Sequence, residues 1–157
     1  MKFPIPTSLQ QEHEALHDDL RGATQAGGEV GEAAKALARV MHPHFVKEDE
    51  FALPPLGLLA ALSRGQYQPG MAEVLTLTER LEADLPAMLE EHQAIAAALQ
   101  RLREAAVRAG RQDIVAFAEQ LAQHARTEEE VMYPAAALVG RHVRLLLAQG
   151  GSPRTAA

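Results

Sequence analysis

The chain carries one pattern twice. Glu12-His13, His44-x-x-x-Glu48 and Leu53-Pro54 in the first half return as Glu91-His92, His124-x-x-x-Glu128 and Tyr133-Pro134, offset by about 79 to 80 positions. A duplication of that length constrains the fold, because each half is one supersecondary unit that must bury its apolar face against the other. The His-x-x-x-Glu spacing sets both side chains on one face of a helix, one turn apart. Histidines and glutamates arranged in this way predict one metal site assembled from two similar halves.

The segments between these motifs read as helices. Ala and Leu are abundant, while β-branched and aromatic residues are scarce, a balance that favours helix over sheet. Thr7 or Ser8 is the expected N-cap of the first helix, with Gln10 or Gln11 completing a capping box, and Gly27-Gly28 ends it. The second helix is expected from Glu29 to about Ala52, kinked at Pro43 and stopped by Pro54-Pro55. Leu56 to Leu62 forms a short helix, and residues 66–70 a loop. A third helical segment runs from Met71 to Ala109, with Pro86 expected to kink it or divide it into two abutting helices. The fourth runs from Gln112 to Tyr133, with a continuation to about Gln149. The predicted fold is all-α: an up-and-down antiparallel four-helix bundle with an internal two-fold repeat. It forms a single domain over residues 1–149, followed by a flexible tail at 150–157.

Spacings of three and four pick out the inward stripes. They are Leu9, His13, Leu16 and Leu20; Val30, Ala34, Leu37, Met41, His44, Glu48 and Phe51; Leu85, Met88, His92, Ile95, Leu99 and Leu102; and Ile114, Phe117, Leu121, His124, Glu128 and Val131. The six repeated residues thus fall inside apolar stripes at similar levels of four helices. A lone histidine in such a stripe is usually a hydrogen-bonded core residue. Here four histidines and two glutamates obey one duplicated rule, and no Arg or Lys stands at a matching stripe position. Buried glutamate without a partner is rare and costly, and a cation removes the cost. Six side-chain ligands crowd a single divalent ion, whereas two octahedral ions offer about twelve positions, of which about two stay open after bridging carboxylates, histidines and a bridging oxygen are placed.

Composition narrows the chemistry further. The absence of cysteine excludes disulfides, thiolate zinc sites, iron–sulfur clusters and a cysteine nucleophile. A net charge of -6 argues against a nucleic-acid or anionic-membrane partner. No apolar run suits a signal peptide or a membrane span, so a soluble cytoplasmic protein is expected.

On His13, His44 with Glu48, His92, and His124 with Glu128, the chain resembles the hemerythrin-like family, also called the HHE cation-binding domain, over roughly residues 8–135. The resemblance implies an up-and-down four-helix bundle around a non-haem di-iron centre. The four histidines would be terminal iron ligands, and Glu48 and Glu128 the carboxylates bridging two oxo- or hydroxo-bridged irons. Oxygen-carrying members have a fifth histidine in a His-x-x-x-His pair on the third helix. In this chain Met88 and Ala96 flank His92 at that spacing, and the pair occurs on the first helix as His13 and His17. His17 is therefore a further candidate ligand, with a place beside the site or in solvent as its alternatives.

The same residues admit other readings. His13-Glu14-x-x-His17 satisfies a short zinc-protease motif but leaves the second half of the repeat unexplained. A ferritin-like site needs two inward Glu-x-x-His motifs, and only Glu14-x-x-His17 fits. His42, His142, Glu50 and Glu130 are expected at the surface. Tyr133 stands near one half of the site where Leu53 stands in the other; core packing is its expected role, a hydrogen-bonding or redox role the alternative. The leading expectation is binding of dioxygen, nitric oxide or peroxide at a His/Glu di-iron centre, in oxygen or iron sensing or storage, with manganese or zinc as substitute metals. A di-iron peroxidase or catalase-like enzyme is the second reading, and a bundle stapled by a structural metal the third.

Overall fold

The computed structural model describes residues 2–150 of the chain. Six α-helices occur, α1 (Thr7–Thr24), α2 (Gly28–Lys47), α3 (Leu59–Leu62), α4 (Val74–Arg108), α5 (Gln112–Thr127) and α6 (Tyr133–Ala148). No strand is present among the described residues. Helices α1, α2 and α4, with α5 and α6 joined end to end through one wider turn, are the four rods of a four-helix bundle. Positive-φ glycines close two of the tight reversals, Gly27 (φ 71°) between α1 and α2 and Gly110 (φ 68°) between α4 and α5. An L side chain at either position is strained by its own Cβ. Of the tail expected at 150–157, all but Gly150 lies outside the described residues.

Local sequence accounts for most element ends, with two corrections. The capping box does not form: α1 begins at Thr7 behind Pro6, with no side-chain cap. Proline fixes the entry φ there, and the Pro6 carbonyl accepts from the N–H groups of Leu9 and Gln10 (2.9 and 3.0 Å). Gln10 instead donates to Glu14 one turn on, at 3.2 Å. The second correction concerns only the alternative of two abutting helices at Pro86. Helix α4 continues through it as one element of 35 residues; the helix packs against α2, α5 and α6, and that burial outweighs the local loss of one backbone hydrogen bond.

Two π-helical turns, Glu48–Ala52 and Glu128–Met132, follow α2 and α5. The carbonyls of Glu48 and Glu128 each accept from the N–H five residues on, in Leu53 and Tyr133. Such turns widen a helix by one residue and rotate everything after them relative to an α-helical count. The last member of the fourth stripe is overturned, although Phe51, at the same place in the first π turn, is buried as expected. Val131 is 58% exposed, and Met132 and Tyr133 are buried in its place.

The core lies in three clusters. Leu16, Leu37, Ile95, Leu102, Phe117 and Leu121 belong to the one at the end of the bundle that holds the α1–α2 and α4–α5 turns. A second gathers Phe51, Leu53, Leu81, Met88, Met132 and Tyr133, and a third gathers Leu58, Met71, Val74, Val139 and Val143. Along each rod the repeated histidine separates the first cluster from the second: His92, for example, stands between Met88 and Ile95. The polar layer is thus enclosed above and below by apolar packing. A segment ahead of α1 closes over the second and third clusters, with Phe3 and Ile5 packed on them. It runs so near Gly57 that a Cβ there would lie 2.2 Å from the Pro4 carbonyl oxygen.

Candidate metal centre

The bundle brings all six repeated residues into one layer, each no more than 5% exposed. Helix α1 supplies His13, α2 His44, α4 His92 and α5 His124, while Glu48 and Glu128 open the two π turns. Two groups of donor atoms close enough to share an ion result: His44, Glu48, His92 and Glu128, and His13, His124 and Glu128. In the first group the Nε2 atoms of His44 and His92 are 2.8 Å apart. In the second, those of His13 and His124 are 3.0 Å apart.

Glu128 spans both groups, while Glu48 belongs to the first and reaches toward His13 of the second. Glu128 sets Oε1 2.7 Å from His124 Nε2 and 3.4 Å from His13 Nε2, and turns Oε2 to within 3.3 Å of His92 Nε2. Glu48 sets Oε1 3.2 Å from His44 Nε2 and Oε2 3.9 Å from His13 Nε2. Glu128 therefore points one oxygen to each end of the layer, and Glu48 Oε2 approaches only His13 at the second end.

The outward nitrogens meet a second set of carboxylates. The Nδ1–H of His44 donates to Glu91 Oε2 (2.8 Å), and that of His92 to Glu129 Oε1 (2.7 Å). His124 Nδ1 lies 3.1 Å from Glu12 Oε1, and His13 Nδ1 lies 3.8 Å from Asp49 Oδ1. These four acids adjoin inner residues in the chain: Glu12 precedes His13, Asp49 follows Glu48, Glu91 precedes His92 and Glu129 follows Glu128. Each serves a histidine of a neighbouring rod, so the contacts run from α1 to α5, from α5 to α4, from α4 to α2 and from α2 back to α1, a closed ring. Carboxylates in this position fix ring orientation and raise ligand basicity at metal sites. Glu12 and Glu91 were visible as members of the repeat, but their role depends on which rods are neighbours, which spacing does not show. Asp49 and Glu129 had no signal beyond adjacency to a glutamate.

Charge in the layer is poised for a cation. Burial opposes the charged form of His44, but Glu48 and Glu91 outweigh it and raise the pKa to about 9. Burial likewise opposes protonation of His124, and Glu128 and Glu12 raise it to about 9. His92 moves upward for the same reason, through Glu128 and Glu129. Burial and the nearby Glu128 charge push Glu48 up. Burial also disfavours the Glu128 carboxylate, but His124, His13 and His92 hold it well below the usual range. Without metal, protons on the imidazoles supply the positive charge that the carboxylates require.

The residues present fit a metal pair. An imidazole that donates through Nδ1 to a carboxylate leaves its Nε2 lone pair facing inward. The two such lone pairs of His44 and His92, whose nitrogens are 2.8 Å apart, repel unless a proton or a cation lies between them. Glu48 Oε2 is buried with no hydrogen-bond partner in the protein. Leaving such an oxygen unsatisfied costs about 1–3 kcal/mol, more when it is charged. Imidazole and carboxylate together suit iron, manganese or zinc.

Other candidates fall elsewhere. His17 joins neither donor group; it is half-buried, with its ring tilted against Phe45 at a centroid distance of 4.0 Å. Burial and the neighbouring His13 lower its pKa. Glu14 is exposed and accepts from Gln10, so the His13-Glu14-x-x-His17 run does not converge on one point. His42 and His142 are exposed, as are Glu50, which pairs with Arg80 at 3.1 Å, and Glu130. Tyr133 is more than a packing residue: its buried hydroxyl donates to Glu48 Oε1 at 2.6 Å. The π turn that carries it inward is invisible to an α-helical count.

Neither a comparison with curated proteins nor one with solved structures found a match. A family model described as the hemerythrin HHE cation binding domain matches residues 5–136. With the match extending over both His-x-x-x-Glu motifs and all four rods, the chain belongs to the hemerythrin HHE cation-binding domain family.

Proposed function

We propose that the layer holds two metal ions, iron in the first instance, and that the protein binds dioxygen, nitric oxide or peroxide there. His44 and His92 would hold one ion, His13 and His124 the other, with Glu48 and Glu128 shared. The observation that supports this reading best is Glu128, which turns one oxygen to each pair of inward Nε2 atoms, with Glu48 beside His44 and its second oxygen turned toward His13. A bound iron pair supplies reversible electron exchange with small oxygen- and nitrogen-containing ligands. The chain's own part is to hold the four imidazoles by the outer carboxylates and to exclude bulk water through the apolar clusters on either side. His17 lies beside the site in this reading rather than among its ligands. Manganese or zinc would occupy the same donors, with zinc giving a redox-silent form.

Metal analysis together with the visible spectrum in air, before and after peroxide, tests the proposal. The expected result is about two irons per chain, with oxo-bridge charge-transfer bands that peroxide or nitric oxide perturbs reversibly. One zinc per chain, or none, in protein produced with iron in supply, would overturn it. Sustained oxygen evolution from peroxide would replace the binding role with a catalytic one.

A further inference from the structure

The two ends of the donor layer are not alike. At the His44–His92 end the Tyr133 hydroxyl lies 2.6 Å from Glu48 Oε1, 3.4 Å from His44 Nε2 and 3.3 Å from His92 Nε2. Those are the separations that neighbouring donors keep around one small cation, about 3 Å for ligands about 2.1 Å from an octahedral centre. The hydroxyl therefore stands in coordination space, not behind it. At the matching position of the first half the chain has Leu53, a buried apolar residue with no group to offer. At the His13–His124 end the neighbouring ring is Phe45, whose centroid is 5.3 Å from that of His13. Glu48 Oε2, the oxygen turned to this end, has no hydrogen-bond partner. Phe45 also meets His17, and both line a surface cavity of about 250 Å³ shared with Leu20, Met41 and His42.

We infer that Tyr133 closes the His44–His92 end to exogenous ligands, so that a small ligand enters at the His13–His124 end, past Phe45 and His17. The inference rests on the metal-pair reading above and adds to it which ion takes the ligand and which residue decides. Tyr133 acts by occupying space and by donating a hydrogen bond to Glu48. Leu53 cannot do this for the other ion. The inequality between the ions then comes from a residue that no His/Glu motif contains.

The test uses the whole protein reconstituted with iron, the variant Tyr133→Phe, and azide as the probe ligand. Iron content is measured first, and helicity by circular dichroism confirms that the variant folds. In the wild type we expect two unequal Mössbauer doublets of equal area, with azide shifting only one and binding at about one per chain. In Tyr133→Phe we expect the doublets to converge and azide uptake to rise to about two per chain. Wild-type protein with about two irons whose doublets are already equivalent, or which takes up two azides, overturns the inference and leaves the metal pair standing. So does a folded, iron-loaded variant indistinguishable from wild type. If the variant does not fold, the wild-type azide titration still decides, since it asks whether one doublet or both respond. Failure of the wild type to hold iron overturns the metal-pair reading and this inference with it.

Discussion

At the scale of single residues, His44 and His92 each hold two opposed relationships, a carboxylate hydrogen-bonded to the outward nitrogen and a crowded, electron-rich space on the inward one. Removing His44 or Glu128 by substitution to Ala is expected to abolish two-metal binding by elemental analysis, while His42→Ala leaves it intact, because His42 is exposed and belongs to neither donor group. Glu91→Gln keeps the shape but removes the charge that His44 faces at 2.8 Å. A loss of about 10–100-fold in metal affinity is expected, measured by competition with a chelator. The raised pKa values give a pH dependence with a definite sign. In the metal-free protein His44 and His124 titrate at about 9, above their ordinary 6.5. Their contribution to stability is fully present below pH 6.5 and is lost as pH rises through 9. The midpoint of thermal unfolding should therefore fall across that window without metal and change less with it. Metal uptake at neutral pH must expel those protons, which calorimetry in buffers of different ionisation enthalpy will detect.

At the scale of elements, the legible and the illegible parts of the chain divide at the π turns. His13, His44, His92 and His124 are buried on the faces their spacing picks out, because they lie inside regular α-helix, where an interval of three or four residues returns to the same face. Glu48 and Glu128 were placed correctly as the last residues before the register shifts. Beyond Glu128 an α-helical interval leaves Tyr133 beside the core, whereas the i→i+5 bond carries it inward; the same interval holds for Phe51 after Glu48 but not for Val131 after Glu128. Hydrophobic periodicity carries no mark of such a turn, since Val131, Met132 and Tyr133 are all apolar enough to fill either place. The approach of α6 to α4 was equally hidden. Gly140 faces Thr78 so closely that a Cβ would lie 2.2 Å from its Oγ1. Gly140→Ala is expected to destabilise the protein by about 1–3 kcal/mol by forcing the two helices apart. Urea denaturation of wild type and variant at matched metal loading measures it.

At the scale of the whole molecule, the donor layer lies between two apolar clusters and is built from all four rods, so metal binding and folding stability are expected to be linked. A metal pair that favours the folded state raises stability by about 2.7 kcal/mol when free metal is at 100 times its dissociation constant. Chelation should lower the unfolding temperature, and refilling should restore it. No helix among the described residues is long and apolar enough to cross a membrane, and the carboxylates that make the layer hungry for cations are internal rather than displayed. The net charge of -6 is in this respect a poor guide, since Glu48 and Glu128 are almost wholly withdrawn from solvent.

The donor groups also cross the midpoint of the chain. His44 and Glu48 share an ion-sized space with His92 and Glu128, and His13 shares one with His124 and Glu128. Neither half holds a complete set alone. If the chain were severed in the exposed stretch at Gly65 and Gln66, the two pieces would each carry half of a clasp. Mixed without metal they are expected to stay apart, and with metal to co-elute as one species. The residues that choose the ion would then also serve as the glue of a reassembled protein, and fragment complementation becomes a direct readout of site occupancy.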